Sequence, residues 1–448
     1  MHINSLIVVV LEIIFGLITI LSSAMADNVE LVVNGNNKFG ANFFNIAARN
    51  DGNLVISPFS AHIVLSMAYQ GAGGKTAEEL GNLLGVTDAE SVANGYEDII
   101  SKLNQIKSVT LDVANKVYVM KNAALQTAFQ NTLSTKYSSA ADEVDFGDNV
   151  NSAKLINDWV EQKTHDKIHE LIKPDMLNSL TKLVLVNAVY FKGNWAKKFD
   201  KERTTKKPFY LADNSETEVD MMYQKSKFRY GEDKDLDCKL LEMPYEGNEV
   251  SMLIILPNEM DGITKLQEKI KDVDVVNIMQ NMYETTVEVS VPKFKIETTS
   301  PMKEMLKEMG AADMFGDEAD FSKITEGGEP LKVSDVIQKA FIEVNEEGAE
   351  AAAATGMIMM TRCMPIRVME KSFNADHPFL VKLVRKDAGN AFNLFLGRIS
   401  LELSADSLPL PPQTFIAEHP YIVALLNNLA QTNQVLFLAQ IDDPSAVL

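Results

Sequence analysis

The sequence predicts an α+β protein. Segments with apolar residues at helical spacing are interspersed with strand-like runs, and some of those runs pair across short turns, so helices are mixed with antiparallel sheet. The 448 residues, 46% of them hydrophobic, suffice for a large core. Length alone would suggest two or three domains.

Phe39 to Ala48 has the apolar spacing of an amphipathic helix. A second helix begins at Ser57-Pro58, with proline in its first turn, where a missing N–H costs nothing. Leu111 to Met120 alternates as a strand does, and Asn151 to Ile172 has helical spacing with Leu155 and Trp159 on one side. Thr181 to Tyr190 is a Leu/Val run, the pattern of a strand buried on both faces. Lys239 to Pro257 predicts two strands joined by a turn at Glu246-Gly247-Asn248. Val287 to Phe294 predicts another strand, and Met302 to Met309 a short helix stopped by Gly310. A last strand runs from Leu331 to Val344.

Leu6 to Leu21 is almost wholly apolar, and Ser22 to Ala26 offers a small-x-small cleavage pattern, so residues 1–26 predict a secretory signal peptide and a secreted, extracellular product. Glu12 interrupts the run and no Lys or Arg precedes it, which leaves an uncleaved anchor as the rival reading. After cleavage no membrane association is expected. The net charge is −20 and no run of five basic residues occurs, which argues against nucleic acid as a partner. Two cysteines, Cys238 and Cys363, cannot build a disulfide framework, and no Asn-x-Ser/Thr acceptor is present. His165 and His169 are four apart, a spacing that can bind metal on a helix, but no third ligand accompanies them, so no metal and no cofactor is expected. Gly71 to Thr76 lacks the spacing of a phosphate loop, and the serines form no nucleophile elbow. No catalytic machinery is legible, and the chain is not read as an enzyme.

The most informative stretch is Glu346-Glu347-Gly348-Ala349-Glu350-Ala351-Ala352-Ala353-Ala354-Thr355. Local propensity favours a helix there. Read with period two, however, Ala349, Ala351, Ala353 and Thr355 share one face, and all are small enough to slide into a sheet as an added strand. Gly348 supplies backbone freedom just before them. An apolar and basic tip follows, Met357 to Cys363. Such a segment can live in two states. It resembles the hinge of the serpins, a family of serine protease inhibitors. Asn53 to Ser60 with Leu65-Ser66-Met67 resembles the family's helix beneath its main sheet, Val186 to Trp195 its central strand, and Phe373 to Leu380 its C-terminal signature. The likeness runs over roughly residues 30 to 400 and is closest to secreted insect antitrypsin-like serpins.

The resemblance implies one large domain over 27–404 in the serpin fold, with three β-sheets, about eight or nine helices, and an exposed reactive-centre loop at about 346–372. It implies a monomeric suicide substrate that traps a trypsin-like serine protease as a covalent acyl-enzyme, loop insertion being a recognised kind of switch. Arg362, sixteen residues beyond Glu346, is the expected residue before the scissile bond to Cys363, because a guanidinium fills the acidic specificity pocket of trypsin-like enzymes. Arg367 is an alternative anchor, and Met360 would suit a chymotrypsin- or elastase-like target. Ser57, Ser60 and Asn187 match the residues beneath the point of insertion (the shutter). Gln338 stands where the family has a histidine, and its amide can still donate and accept. Trp195 matches the top of the insertion path (the breach). Thr76 to Asp98, where some members bind heparin, has no Lys or Arg, so no heparin activation is expected. A non-inhibitory carrier or storage serpin is the alternative, but the small hinge face argues for inhibition.

The C-terminus repeats itself. Phe373–Ile399 and Phe415–Ile441 align without a gap at an offset of 42, with 11 of 27 positions identical. The family has one slot for such a hairpin, so 405–448 is expected to be a surplus second copy.

Overall fold

A computed structural model describes residues 28–49, 52–211, 215–270, 273, 279–327, 330–348, 371–387 and 390–401, together with the backbone of 421–427 and 434–441. The chain divides into two compact units, Met1–Glu402 and Leu403–Leu448.

In the first unit, helix α1 covers residues 28–47, starting well before Phe39. After the short strand β1 (Leu54–Ile56), Ser57 caps helix α2 (Pro58–Gly71) by accepting from the Ser60 N–H, with Pro58 in the first turn. Almost every residue of α2 is buried, because the helix lies inside the molecule against β2 (Val109–Met120), β4 (Leu183–Gly193) and β14 (Asn390–Ile399). Helices α3 (Gly74–Leu84), α4 (Ala89–Leu103) and α5 (Thr127–Tyr137) complete this side; α4 is capped by Asp88.

The main sheet has five strands in the order β10-β11-β4-β2-β3, with β3 at Ala141–Val144, β10 at Phe294–Pro301 and β11 at Val333–Val344. As the Leu/Val run predicts, β4 is buried along its length apart from Lys192. Its alternate residues feed two cores. Leu183, Leu185 and Val189 face the large core around α2, while Val184, Val186, Ala188 and Tyr190 face helix α6 (Asn149–Lys163) on the other side.

A second, nine-stranded ladder runs β1-β14-β13-β8-β7-β6-β9-β12, with β12 at Lys371–Asn374 and β5 (Thr205–Tyr210) also on β6. The long β6 (Glu216–Asp233) belongs to two layers. Met221–Tyr230 pairs with β9 (Tyr283–Pro292), and Arg229–Asp233 pairs with β7 (Cys238–Pro244). β7 and β8 (Val250–Pro257) are the expected antiparallel pair around Gly247, which has φ +84°. Helix α7 (Ile263–Ile270) and helix α8 (Lys303–Glu308) complete the eight α-helices among the described residues, α8 being followed by Gly310 at φ +99°. The fold is α+β.

Two expectations need correction. The strand predicted at Val287–Phe294 is the junction of β9 and β10, which break at Lys293. The helix predicted to reach Ile172 stops at Lys163, where the Thr164 hydroxyl bonds back to the Val160 carbonyl at 2.8 Å. His165 and Asp166 then take left-handed backbone (φ 51° and 56°), which no α-helix continues. The buried side of α6 is Ser152, Ala153, Ile156 and Val160; Leu155 faces outward.

Both C-terminal copies form hairpins. In the first unit β13 (Phe379–Asp387) pairs with β14, and the pair fits between β8 and β1. In the second unit β15 (Tyr421–Asn427) pairs with β16 (Gln434–Ile441). The registers match residue for residue at the offset of 42. Phe379↔Ile399 becomes Tyr421↔Ile441, and the bulge after Leu383 recurs after Leu425.

Candidate functional site: the seam between β4 and β11

β11 and β4 are direct neighbours and run parallel, from Val333↔Leu183 to Phe341↔Tyr190. Parallel strands at this position leave room for a specific event. A segment that follows β11 and folds back between the two would be antiparallel to both, which is the more stable pairing. The parallel pairing of β11 and β4 is therefore geometrically compatible with an antiparallel strand added between them.

Polar side chains lie beneath the seam at one level. Gln338, Asn187 and Asn115 are in register on β11, β4 and β2. The Gln338 amide closes a ring with the backbone of Ser57, accepting from its N–H and donating to its carbonyl, both at 2.9 Å. It also donates to Asn187 Oδ1 at 2.6 Å. Asn187 Nδ2 donates to Ser60 Oγ and to Asn115 Oδ1, and Ser60 Oγ donates to Asn115 Oδ1 at 3.2 Å. Ser57 Oγ reaches the Leu394 carbonyl of β14 at 2.7 Å. All five residues are buried, so these bonds act in a low-dielectric site where an unmade one costs about 1–3 kcal/mol. The four expected residues are thus brought together. Asn115 is the member that sequence reasoning missed; its signal is a lone amide inside the alternating strand.

The hinge sits at the top of the seam. Asn345 to Gly348 form a tight turn, with Asn345 N–H donating to the Gly348 carbonyl at 2.8 Å and Asn345 Oδ1 accepting from the N–H of Glu347 at 3.0 Å. The segment after β4 holds this turn. Trp195 N–H donates to the Glu347 carbonyl at 2.8 Å, Phe199 N–H to the Glu346 carbonyl at 2.9 Å, and the Trp195 indole to the Asn345 carbonyl at 3.0 Å. Trp195 is buried and stacked on Tyr245, ring centroids 4.4 Å apart. Gly348 has φ +136°, and a Cβ there would lie 2.1 Å from the Gly193 carbonyl oxygen, so no other residue fits this approach.

Both hinge glutamates are anchored. Glu346 meets Lys293 at 3.1 Å and the Thr204 hydroxyl at 2.8 Å; Glu347 meets Lys198 at 3.1 Å and Lys201 at 3.3 Å. Burial pushes the Glu346 carboxyl up, but its own N–H, Thr204 and Lys293 outweigh this and hold it below the usual range. For Glu347 the hydrogen bond from Lys198 is the main cause of a lowered value, with Lys201 adding to it against some burial. Lys198, Lys201, Thr204 and Lys293 carry no pattern that marks them in the sequence.

Ala349 to Thr355, Met360, Arg362, Cys363 and Arg367 lie outside the described residues, as does the signal segment 1–26. His165 and His169 do not share a helix. Each faces a carboxylate, Asp112 at 2.8 Å and Glu161 at 3.1 Å.

The family model described as "Serpin (serine protease inhibitor)" matches residues 34–401. The chain belongs to the serpin family. Among curated serpins it is 40% identical to the antitrypsin of Bombyx mori over 377 residues, covering 83% of this chain and 96% of that protein. It is 38% identical to antichymotrypsin-2 of the same species over 373 residues, covering 83% and 99%. Among solved structures, Serpin48 of the insect Tenebrio molitor superposes with a TM-score of 0.75 at 37% identity, covering 84% of this serpin and 99% of that chain. The polar row and the anchored turn lie within the stretch that the family model matches, and Gln338 stands where the resemblance implies a histidine.

Proposed function

We propose that this serpin is a secreted inhibitor of a trypsin-like serine protease that acts as a suicide substrate. The observation that carries the reading is the unfilled parallel seam between β4 and β11, with a hinge of small residues leading out of β11 at its top. The target's serine attacks the Arg362 carbonyl, and the amine of Cys363 leaves with the proton, forming an acyl-enzyme. The freed hinge then enters the seam from Ala349 onward and carries the protease with it before water can complete hydrolysis. The similarity to an antitrypsin and to an antichymotrypsin supports inhibition and leaves the choice of target to Arg362, Arg367 or Met360. The working body is 27–404, and the second hairpin is surplus to it.

The purified protein is to be mixed with trypsin, chymotrypsin and elastase, followed by denaturing electrophoresis and mass spectrometry. The reading expects an SDS-resistant complex with trypsin and a released fragment beginning at Cys363. A fragment beginning at Val368 would move the anchor to Arg367. Complexes with chymotrypsin or elastase alone would overturn the trypsin-like assignment, and cleavage with no complex at all would overturn inhibition. Arg362→Ala should abolish the trypsin complex and leave the fold intact.

A further inference from the structure

The second C-terminal hairpin lacks what guards the first. In the first copy both outer edges are paired, β13 with β8 over Leu380–Arg385 and β14 with β1 over Leu396–Arg398. Among the described residues, β15 and β16 pair only with each other. The matching edges, Ile422–Asn427 and Leu438–Gln440, have no strand partner there. A two-stranded hairpin is marginal by itself in water, and an open edge is a template for another strand.

Charge has also gone from these strands. Lys382, Arg385, Lys386, Asp387 and Arg398 of the first copy become Ala424, Asn427, Asn428, Leu429 and Gln440, and no Asp, Glu, Lys or Arg occurs from Tyr421 to Ile441. The apolar pattern is kept, with Val423, Leu425, Leu436, Phe437 and Ile441 identical to their counterparts. An uncharged edge rich in Val, Ile and Leu, with no proline inside it, is the pattern that pairs with another chain. The open edges of the serpin body differ: β3 carries Asp142 and Glu143, β10 Lys295 and Glu297, and β5 Lys206 and Lys207.

The occupant of that edge follows by elimination. The place between β8 and β1 is filled by the first hairpin, and it does not suit the second. A Cβ at Gly397 would meet the Leu54 carbonyl oxygen at 2.9 Å, where the second copy has Ala439, and Gln440 brings no cation to the carbonyls that Arg398 holds. The uncharged edge of matching length that remains is β15 of another copy. We propose that this serpin self-associates through its second hairpin, β15 pairing antiparallel with β15 of a second copy about a two-fold axis to make a four-stranded sheet. An antiparallel edge is complementary to itself under a two-fold, so the contact closes at two chains. β15 is favoured over β16 because the corresponding edge of β13 pairs over six residues and that of β14 over three. Asp442, Asp443 and Pro444, directly after β16, put charge and a ring where further strands would add. The serpin bodies stay out of the contact, so one particle carries two reactive loops.

The test uses the full chain in reductant, so that no disulfide through Cys363 contributes. Sedimentation from about 1 to about 100 μM, the range in which a small pairing of this kind saturates, should show the mass double and then hold at two chains. Hydrogen exchange at Tyr421–Asn427 should slow by about fivefold or more over the same range, as paired edge replaces free edge. Ala424→Lys combined with Asn427→Arg, which returns to β15 the residues of β13, should sediment as one chain throughout, with the urea unfolding of the serpin body unchanged. A wild type of one-chain mass at every concentration, a charged variant as dimeric as wild type, or a mass that climbs past two chains overturns the proposal. Where the variant loses its hairpin, wild-type exchange decides alone: rates at Tyr421–Asn427 that do not depend on concentration overturn the pairing.

Discussion

At the scale of single residues, Glu346 and Glu347 fasten the turn that follows β11. Their carboxyls are held below the usual range by Lys198 and Lys201 at Glu347 and, against burial, by donors that include Lys293 at Glu346. A lowered carboxyl contributes stability that is complete above its unfolded value, about 4.3, and is lost as pH falls through the folded value. Acidification below about pH 4 should therefore loosen the turn at Asn345–Gly348. In a Trp159→Phe background, Trp195 emission reports this, since its indole is bonded to Asn345. Glu347→Gln should flatten part of the response, and an unaltered pH profile in that variant would remove Glu347 from the latch. His62 carries the opposite chemistry at a second buried point. Its Nε2–H donates to the Leu84 carbonyl at 2.9 Å and its Nδ1 accepts from Tyr96 at 2.6 Å, so the ring is neutral. Burial pushes it down to about 4, against the pull of the Leu84 carbonyl. The unfolded chain takes up the proton first, so stability should decline below about pH 6.5, by about 3 kcal/mol at pH 4. Urea unfolding from pH 7 to 4.5 checks this, with His62→Gln expected to be flatter. Neither His62 nor the four hinge donors could be found in the sequence, because their roles depend on distant partners; Ser57, Ser60, Asn187 and Gln338 were legible through motif resemblance.

At the scale of elements, the hinge is where local propensity and tertiary use disagree. Glutamate and alanine favour a helix, yet the alternation of small residues suits one face of a strand entering between β11 and β4. Ala351→Arg would place a charge on that inward face at a cost of several kcal/mol when buried. A stalled hinge gives water time to act, so the variant should be cleaved by trypsin as a substrate with little complex. Unchanged stoichiometry in Ala351→Arg would refute insertion. The same tension misleads the reading of α6. A helix is predicted over Asn151–Ile172, with His165 and His169 four apart, but Thr164 bonding to Val160 and the left-handed pair after it stop the helix at Lys163. Strands were easier to read than helix ends: the run that became β4 and the turn at Gly247 are fixed by burial and by backbone, which composition records directly.

At the scale of the whole molecule, two hairpins share one pattern. The first makes specific demands on its surroundings. A Cβ at Gly397 would lie 2.9 Å from the Leu54 carbonyl oxygen, and Arg398 donates to the carbonyls of Gly52 at 2.8 Å and Ala48 at 3.0 Å. The second copy has Ala439 and Gln440 at the matching positions. Truncation after Ser404 should therefore leave folding and inhibition intact, as judged by urea unfolding and trypsin titration; failure to fold would assign the structural role to the second copy. The repeat itself was visible in the sequence as an offset of 42, whereas the fit that distinguishes the copies needed the neighbours of Gly397 and Arg398.

The position of β13 and β14 has a further consequence. They follow the Arg362–Cys363 bond in the chain, yet they are woven between β8 and β1, and Leu394 is bonded to Ser57. A cut at that bond makes two polypeptides but not two particles. The spent inhibitor should elute from a sizing column as an uncut molecule does, and part into its pieces only in detergent or denaturant.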